Sequence, residues 1–200
     1  HPLTQQLLQE LDFPLAAPSA NPFGYVSPTT ANHVNDQLGN KIPFVLDGGP
    51  CQVGVESTIV GIEQNRVCVF RLGGIALEEI EGLVGKVILK SHSSNPLAPG
   101  MLDSHYAPGK RLLLGDIETL LDLHRDQSPF VISFTKKFDD YPRELQFQLS
   151  RHANVNEAAM NLFSALRYAD SKASTLILAE AVRDIGLGRA VNDRLRRAAF

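Results

Sequence analysis

The sequence predicts an α/β protein in two parts, and three observations support this. Short β-branched and aromatic runs are mixed with helical patterns over residues 1–90. A stretch rich in serine, proline and glycine follows at residues 91–109 and has the composition of an interdomain linker. Strand and helix patterns then alternate over residues 110–200, which is typical of a parallel sheet with helices on its faces.

The first part begins with a helix and contains a predicted β-hairpin. Leucines at positions 3, 7, 8 and 11 form one apolar face with no initiator methionine before them, so we expect a fragment or a processed product. Ser27 followed by Pro28 predicts the start of a helix that ends at Gly39. Strands are predicted at residues 43–46, 58–62, 67–70 and 86–90, with a turn at 63–66 and a further helix over residues 77–84.

The second part is predicted to be a small Rossmann-like domain. Its strands are predicted at residues 111–114, 130–134, 145–149 and 175–179, and its helices at 117–124, 157–169 and 190–199. The G-x-G pattern near its end lacks the third glycine of a dinucleotide fingerprint, so NAD binding is the weakest functional alternative. We expect Asn192, Asp193 and the neighbouring arginines to form a solvated or capping face.

Composition and charge limit the classes of function. With 44% apolar and 20% charged residues, the chain can bury one sizeable core or two modest ones. A formal net charge of −3 without a basic tract argues against a broad nucleic-acid surface. Two isolated cysteines, dispersed histidines and the lack of a signal peptide or long apolar run predict a reduced, cytoplasmic setting without a protein-held metal.

Two segments of the first part could bind a ligand. Residues 17–31, APSANPFGYVSPTTA, join a loop of small residues to a helix start, which favours an anion such as a phosphate. Helix capping by Ser27 is the structural alternative. Residues 47–60, DGGPCQVGVESTIV, place Glu56, Ser57 and Thr58 at a strand entrance, where they could hold an amino acid or simply form a turn and a strand edge.

Two further segments contain candidate side chains. In FRLGG, residues 70–74, Arg71 could bind a phosphate, or it could be a solvated arginine at a strand end. In PGMLDSHYAPG, residues 99–109, His105 could act as a general base, or His105 and Tyr106 could anchor the linker by packing and hydrogen bonds.

The order of these segments is more specific than any one of them. APSAN, SPTTA, DGG, GVESTIV, FRLGG, PGM with HYAP, and GLGRAVNDRLRRAA follow one another along the chain. This succession resembles the long form of the threonylcarbamoyl-AMP synthase family over essentially the whole chain. The resemblance implies the C-terminal half of a YrdC-like twisted α/β sheet domain at residues 1–90, a linker at 91–109 and a Rossmann-like domain at 110–200.

The resemblance also implies an activity and site residues. Members of the family join L-threonine, bicarbonate and ATP, with Mg²⁺ accompanying the ATP, into threonylcarbamoyl-AMP and diphosphate for modification of tRNA adenosine 37. Downstream tRNA-modification enzymes are the implied partners. No catalytic residue is assigned, because positioning and charge neutralisation suffice for this chemistry. Ser19, Ser27, Arg71 and Tyr106 are implied ATP contacts, Ala17 and Ser57 are implied threonine contacts, and Asn21, Thr58 and His105 are implied neighbours.

The sequence departs from the family pattern in one large respect. The resemblance places the lysine and arginine residues that hold the triphosphate before His1, so we expect these 200 residues alone to be inactive or nearly so. We also expect exposed apolar surface or an unpaired sheet edge, unless a preceding segment or a second copy covers it. Alternatives of other classes are a non-catalytic ATP- or threonine-binding module and an RNA-binding module.

Overall fold

A computed structural model describes residues 1–90 and 105–199 of the chain. Much of the predicted linker, residues 91–104 with the PGM motif, lies outside the described residues, as does residue 200. The described part forms two units, each with its own small sheet.

The first unit contains a three-stranded sheet in the order β1-β2-β3. The predicted hairpin is confirmed, because β1 and β2 pair antiparallel, and β3 adds to β2 in parallel. Gln64 and Asn65 at the turn have φ values of 48° and 59°, the left-handed conformation that a tight two-residue hairpin requires. The elements are α1 (Pro2–Gln9), α2 (Ala31–Leu38), β1 (Ile59–Glu63), β2 (Arg66–Arg71), α3 (Leu77–Val84) and β3 (Ile88–Leu89).

Two predictions for the first unit are wrong. Helix α2 is capped by Thr30, whose side chain accepts a hydrogen bond from the His33 amide, and not by Ser27. The Ser27 hydroxyl donates instead to Glu56, and the N-cap of α2 lies three residues farther along the chain, at Thr30. Residues 43–46 form no strand; Phe44 there is 86% exposed, and no strand of the described residues pairs with this segment.

The second unit confirms the predicted parallel α/β domain. Its four strands are all parallel, in the order β4-β7-β5-β6, and every residue of β5 and β7 is buried. Helices α5 and α6 cover one face of the sheet, and α4 covers the other. The elements are β4 (Arg111–Leu114), α4 (Ile117–His124), β5 (Phe130–Ser133), β6 (Gln146–Gln148), α5 (Val155–Asp170), β7 (Leu176–Ala179) and α6 (Gly188–Ala198).

The two units share their hydrophobic cores. Val26 from the first unit and Tyr106 from the segment before β4 are buried in the core of the second unit. In the opposite direction, Ala190 of α6 packs with Val69 and other residues of the first unit. The interface is therefore packed like the interior of one domain, which favours a single fixed arrangement of the two units.

Much of the apolar surface of the first unit is exposed, as expected from the sequence. Strand β1 lies at the edge of its sheet and presents Ile62, which is 76% exposed. Phe23 and Leu83 are also almost fully exposed. An edge strand beside apolar side chains is a surface that proteins usually cover.

Gly54 tests the close contact between the units. Its φ is +82°, and a Cβ there would lie 2.3 Å from the Ala159 carbonyl oxygen and from the Met160 Cα on α5. Because both atoms belong to helix backbone, we expect Gly54→Ala to lower the free energy of unfolding by at least about 2 kcal/mol. Urea denaturation followed by circular dichroism measures this change.

Gly82→Ala is the matched control, since a Cβ at this position in α3 meets nothing within 4 Å. Replacing a glycine inside a helix should raise stability by up to about 1 kcal/mol. Equal effects of the two substitutions would contradict the tight contact at Gly54.

Candidate functional site

A cavity of about 490 Å³ lies where the two units meet. Two of the predicted ligand contacts, Ser19 and Ser27, line it, and Phe163 of α5 closes it from the second unit. Within the described chain, no lysine or arginine is among its lining residues, which are Ser19, Ala20, Ser27, Pro28, Thr29, Cys51, Gln52, Val53, Gly54, Val55, Glu56 and Phe163. The wall thus offers hydroxyls, backbone and one carboxylate, and its polar groups come from the first unit.

Glu56 connects the cavity wall to the second unit. The Ser27 hydroxyl donates to Glu56 Oε1 at 2.6 Å. The other carboxylate oxygen, Oε2, accepts hydrogen bonds from Arg194 Nε at 3.0 Å and from its terminal NH2 group at 2.9 Å. The two oxygens of one carboxylate are therefore divided between a cavity residue and an arginine of α6.

The buried charges on α6 contradict the expectation of a solvated face. Arg194 and Arg197 are 0% and 2% exposed, and Asp193 is 2% exposed. Asp193 pairs with both arginines, and Arg194 also donates to the Leu72 carbonyl oxygen at 2.8 Å. Asn192 is buried as well and bonds the backbone of Val182. These polar side chains can be buried because each has a hydrogen-bond or ion-pair partner in the folded protein, and Arg194 has partners in both units.

The charges of Glu56 and Arg194 stabilise each other. Burial by itself would raise the pKa of Glu56, but the Arg194 charge and the Ser27 hydrogen bond outweigh it and lower that pKa below its ordinary value. Burial likewise disfavours the charged form of Arg194, yet Glu56 keeps the pKa of Arg194 raised. Both groups are consequently ionised in the folded protein at neutral pH.

Ser57 and Arg71, two predicted ligand contacts, lie together outside the cavity. Arg71 Nε donates to the Ser57 carbonyl oxygen and its NH2 group to the Ser57 hydroxyl, each at 3.0 Å. Thr58 beside them bonds the backbone of Ile75, as donor at 2.9 Å and acceptor at 3.0 Å. The Thr58 hydroxyl therefore already serves the connection between β2 and α3.

Ala17 and Asn21 belong to the loop that leads to the cavity, and neither lines it. Ala17 is exposed. The Asn21 amide nitrogen donates to the carbonyl oxygens of Pro22 and Tyr25, both at 3.0 Å, while its Oδ1 is buried without a partner among the described residues. Buried polar atoms rarely lack a partner, so Asn21 Oδ1 is an acceptor suited to a ligand or a water molecule.

His105 also contains a buried polar atom that lacks a hydrogen-bond partner among the described residues. Its Nδ1 is buried without a hydrogen bond to any part of the chain that the structure describes, and burial lowers the pKa of its imidazole. The ring contacts that of Tyr106 edge-on at a centroid distance of 4.1 Å. A neutral imidazole can accept a proton, so the geometry is compatible with both sequence hypotheses, a base and a packing anchor.

Tyr106 is an anchor of the segment that precedes β4. It is 1% exposed, has a φ of 62°, and stacks on Phe163 at 5.6 Å between ring centroids. The Arg194 guanidinium lies 4.7 Å from the centre of the same ring. Tyr106 thus packs against Phe163, which lines the cavity, and contacts Arg194 by a cation–π interaction.

The part of the chain that the structure describes contains no group of three or more histidine, cysteine, aspartate or glutamate residues that could hold a metal ion. None of these residues is therefore assigned to the Mg²⁺ that the resemblance implies. Over the same two ranges, 1–90 and 105–199, no helix is long and apolar enough to cross a membrane.

Comparison with known proteins identifies the family of the chain. Residues 75–200 match the family described as "Threonylcarbamoyl-AMP synthase, C-terminal domain", and residues 1–73 match the family described as "Telomere recombination". The Bacillus subtilis threonylcarbamoyl-AMP synthase is 35% identical over 210 residues, which cover 100% of this chain and 61% of that protein. The Pyrococcus abyssi enzyme of the same name is 35% identical, covering 100% of this chain and 62% of its own length.

The chain belongs to the threonylcarbamoyl-AMP synthase family. The resemblance drawn from the order of motifs is confirmed. The chain spans about three fifths of the length of these two relatives, as the 61% and 62% coverage shows.

Two solved structures of this family are similar to the chain over its whole length. The crystal structure of P. abyssi Sua5 complexed with L-threonine matches with a TM-score of 0.88 at 35% identity, covering 100% of this chain and 62% of that one. A variant of the same protein, with a consecutive histidine and tyrosine replaced by alanine, matches with a TM-score of 0.86 at 33% identity.

The sequence hypotheses omitted the second unit's contribution to the site. Phe163 and Arg194 were not among the predicted contacts, and Glu56 was noted only as part of a strand-entrance triplet. A usable signal was the regular placement of Ala190, Val191, Leu195 and Ala198 around the charged residues of α6. At 3.6 residues per turn these four residues fall on one face of the helix, and Arg194 lies on that face as well, so a charge buried with it requires partners.

Glu56→Gln tests the buried ion pair. Removing one charge leaves Arg194 without this counter-charge, so we expect the free energy of unfolding at neutral pH to fall by about 3 kcal/mol or more. Because folding lowers the pKa of Glu56, its contribution is present above the unfolded pKa and is lost as the pH falls through the folded pKa. The difference between wild type and variant should therefore shrink in acid, which urea titrations at a series of pH values measure.

Glu63→Gln is the control, because the Glu63 and Lys90 pair lies on the surface. A surface pair contributes little, so this variant should remain close to wild type at every pH. A Glu56→Gln variant as stable as Glu63→Gln at neutral pH would contradict the assignment.

Proposed function

We propose that the protein containing this chain forms threonylcarbamoyl-AMP from L-threonine, bicarbonate and ATP. Addition of bicarbonate to the threonine amine, with loss of water, gives a carbamate. Attack of the carbamate oxygen on the ATP α-phosphorus then forms the new P–O bond and releases diphosphate. The observation that carries the proposal is the interface cavity, with Ser19 and Ser27 on its wall, in a chain whose fold matches a relative crystallised with L-threonine.

The described residues are suited to binding an amino acid and the neutral parts of a nucleotide. The Ser27 hydroxyl and the exposed Ser19 hydroxyl can bond polar groups of a ligand, and Asn21 Oδ1 is an acceptor without a partner in the described chain. Arg71 lies at the neighbouring strand end and has the charge that a phosphate requires. Such groups act by positioning reactants and by stabilising charge, without a nucleophilic side chain.

Mg²⁺ belongs to the proposal as a companion of the ATP phosphates. It would neutralise phosphate charge when bound, and no step is assigned to it in this chain. Two free cysteines, Cys51 exposed and Cys68 buried, fit the proposed cytoplasmic setting. Enzymes that transfer the threonylcarbamoyl group to tRNA are the proposed users of the product.

The direct test is diphosphate release by the complete gene product. Release should require both L-threonine and bicarbonate, and mass spectrometry should detect the adenylate. L-valine, which replaces the threonine hydroxyl with a methyl group, should support much less turnover because polar groups of the site lose their partner. Binding of ATP or threonine without turnover would favour a non-catalytic binding module, and salt-dependent RNA binding without either ligand would favour an RNA-binding module.

The isolated 200 residues should show little or no turnover. A triphosphate needs several cations, and no lysine or arginine lines the cavity of the described residues. Comparison of the 200-residue chain with the complete gene product in the same assay checks this. Equal rates would contradict the expectation that residues outside this chain hold the triphosphate.

Arg71→Met tests the proposed phosphate contact. Loss of the guanidinium should raise the KM for ATP by about tenfold or more in the complete gene product, because one charge-assisted contact is removed. Arg66→Met, at the exposed opposite end of the same strand, is the control and should leave the KM unchanged. Unchanged kinetics in Arg71→Met would remove Arg71 from the site.

A further inference from the structure

We infer that Arg194 is a positioning residue for the ligand cavity: from the second unit it holds the Glu56 carboxylate in place, and Glu56 in turn fixes the Ser27 hydroxyl. Naming the ligand in this inference rests on the proposed function, whereas the effect on Ser27 does not. The inference gives the second unit a role in forming the ligand cavity.

The first support is the geometry of the contacts that join Arg194, Glu56 and Ser27. Ser27 and Glu56 both line the cavity, and the hydrogen bond between them is 2.6 Å long. The side chain of Arg194 is 0% exposed, whereas that of Glu56 is 18% exposed. These contacts therefore connect a fully buried arginine to two residues at the cavity wall.

The second support is the number of bonds that fix Arg194 itself. Its NH1 group donates to Asp193 Oδ2 at 2.6 Å, its NH2 group donates to the Leu72 carbonyl oxygen, and its face rests on the Tyr106 ring. Two hydrogen bonds to one Glu56 oxygen complete this set. An arginine held on every side leaves the carboxylate little freedom to rotate.

The third support is that the cavity loop is fixed from the second unit at other points as well. Arg167 of α5 donates to the backbone carbonyl oxygens of Val26 and Ser27, the latter at 3.2 Å. The Thr29 hydroxyl lies 3.0 Å from that of Ser164, also on α5. The backbone of Ser27 is thus held by α5, and its side chain is linked to α6 through Glu56, so the second unit contributes to the position of this hydroxyl at both points.

The position of a hydroxyl matters in this site because ligand binding relies on few polar groups. Within the described chain the cavity wall holds no cation, and Ser27 is one of its few buried hydrogen-bonding side chains. With Glu56 ionised, the hydroxyl proton points to the carboxylate and the oxygen lone pairs face away from it. Ser27 therefore offers an acceptor for a ligand donor, such as an ammonium or hydroxyl group.

The experiment compares variants of the complete gene product by calorimetric titration with L-threonine and, separately, with ATP. Arg194→Met should weaken binding of ATP, the ligand that Ser27 is implied to contact, by about tenfold, the factor for one lost hydrogen bond. Arg197→Met is the matched control, because Arg197 lies on the same helix, is equally buried and also pairs with Asp193, whereas both arginine hydrogen bonds to Glu56 Oε2 come from Arg194. It should alter stability while leaving affinity unchanged.

Two double variants separate positioning from folding. Glu56→Gln with Arg194→Met removes both charges, so stability should recover relative to either single variant while affinity stays low. Ser27→Ala with Arg194→Met should bind no more weakly than Ser27→Ala alone, because both changes remove the same contact. Affinity that recovers together with stability, or fully additive losses, would overturn the inference.

A readout without ligand keeps the inference distinct from the proposed function. NMR three-bond couplings report the side-chain rotamer of Ser27, which should be single in the wild type and averaged in Arg194→Met. If the wild type binds neither L-threonine nor ATP, the proposed function is wrong. The inference about Arg194 is then tested by the Ser27 rotamer alone, and rotamer averaging in Arg194→Met supports it. An unchanged Ser27 rotamer in Arg194→Met would overturn it in either case.

Discussion

The arrangement of the two units depends on one arginine that is buried without access to water. A guanidinium in such a place is unfavourable unless acceptors surround it, and Arg194 finds them in Glu56, Asp193 and the Leu72 carbonyl oxygen. Two of these three partners belong to the first unit. Displacing the units by even a few ångströms would leave a buried charge without its acceptors in a low-dielectric interior. The ion pair therefore favours one docking geometry over others.

This constraint extends to the cavity and to the segment before β4. Glu56 shares its carboxylate with Ser27, and Arg194 shares its flat face with Tyr106. Tyr106 in turn stacks on Phe163, which closes the cavity. The hydroxyl at the wall, the aromatic residue that closes it and the segment that leads into the second unit are therefore coupled through one charged group.

The sequence predicted the regular elements of the fold because their signals are local. Periodic apolar residues located the hairpin, the parallel strands and all three helices of the second unit to within a few residues. The predicted start of α2 was wrong because Thr30 caps the helix, while the Ser27 hydroxyl is bonded to a residue 29 positions away, which no capping pattern reveals. Residues 43–46 have strand-like composition, but a strand requires a neighbour that composition cannot supply.

The site was partly predictable for the same reason. Ser19 and Ser27, which the motif order singled out, line the cavity, whereas Ser57 and Arg71 lie together outside it. The role of α6 was missed, because the bond between Glu56 and Arg194 joins residues 138 positions apart. A charged helix is solvated in most proteins, and the fold shows which partners enclose this one. The ligand-binding roles of all the predicted site residues stay predictions; these residues are Ala17, Ser19, Asn21, Ser27, Ser57, Thr58, Arg71, His105 and Tyr106.

The shared cavity wall has a consequence for how such proteins can be recombined. A hybrid made by joining the first unit of one relative to the second unit of another would pair a Glu56 equivalent with a foreign helix. Even if each half folded, an arginine shifted by one helical turn, about 5.4 Å, could not reach the carboxylate. Exchange of units between family members should therefore succeed only when the residues that face each other across the interface are transferred together. The interface thus restricts the independent evolution of the two units.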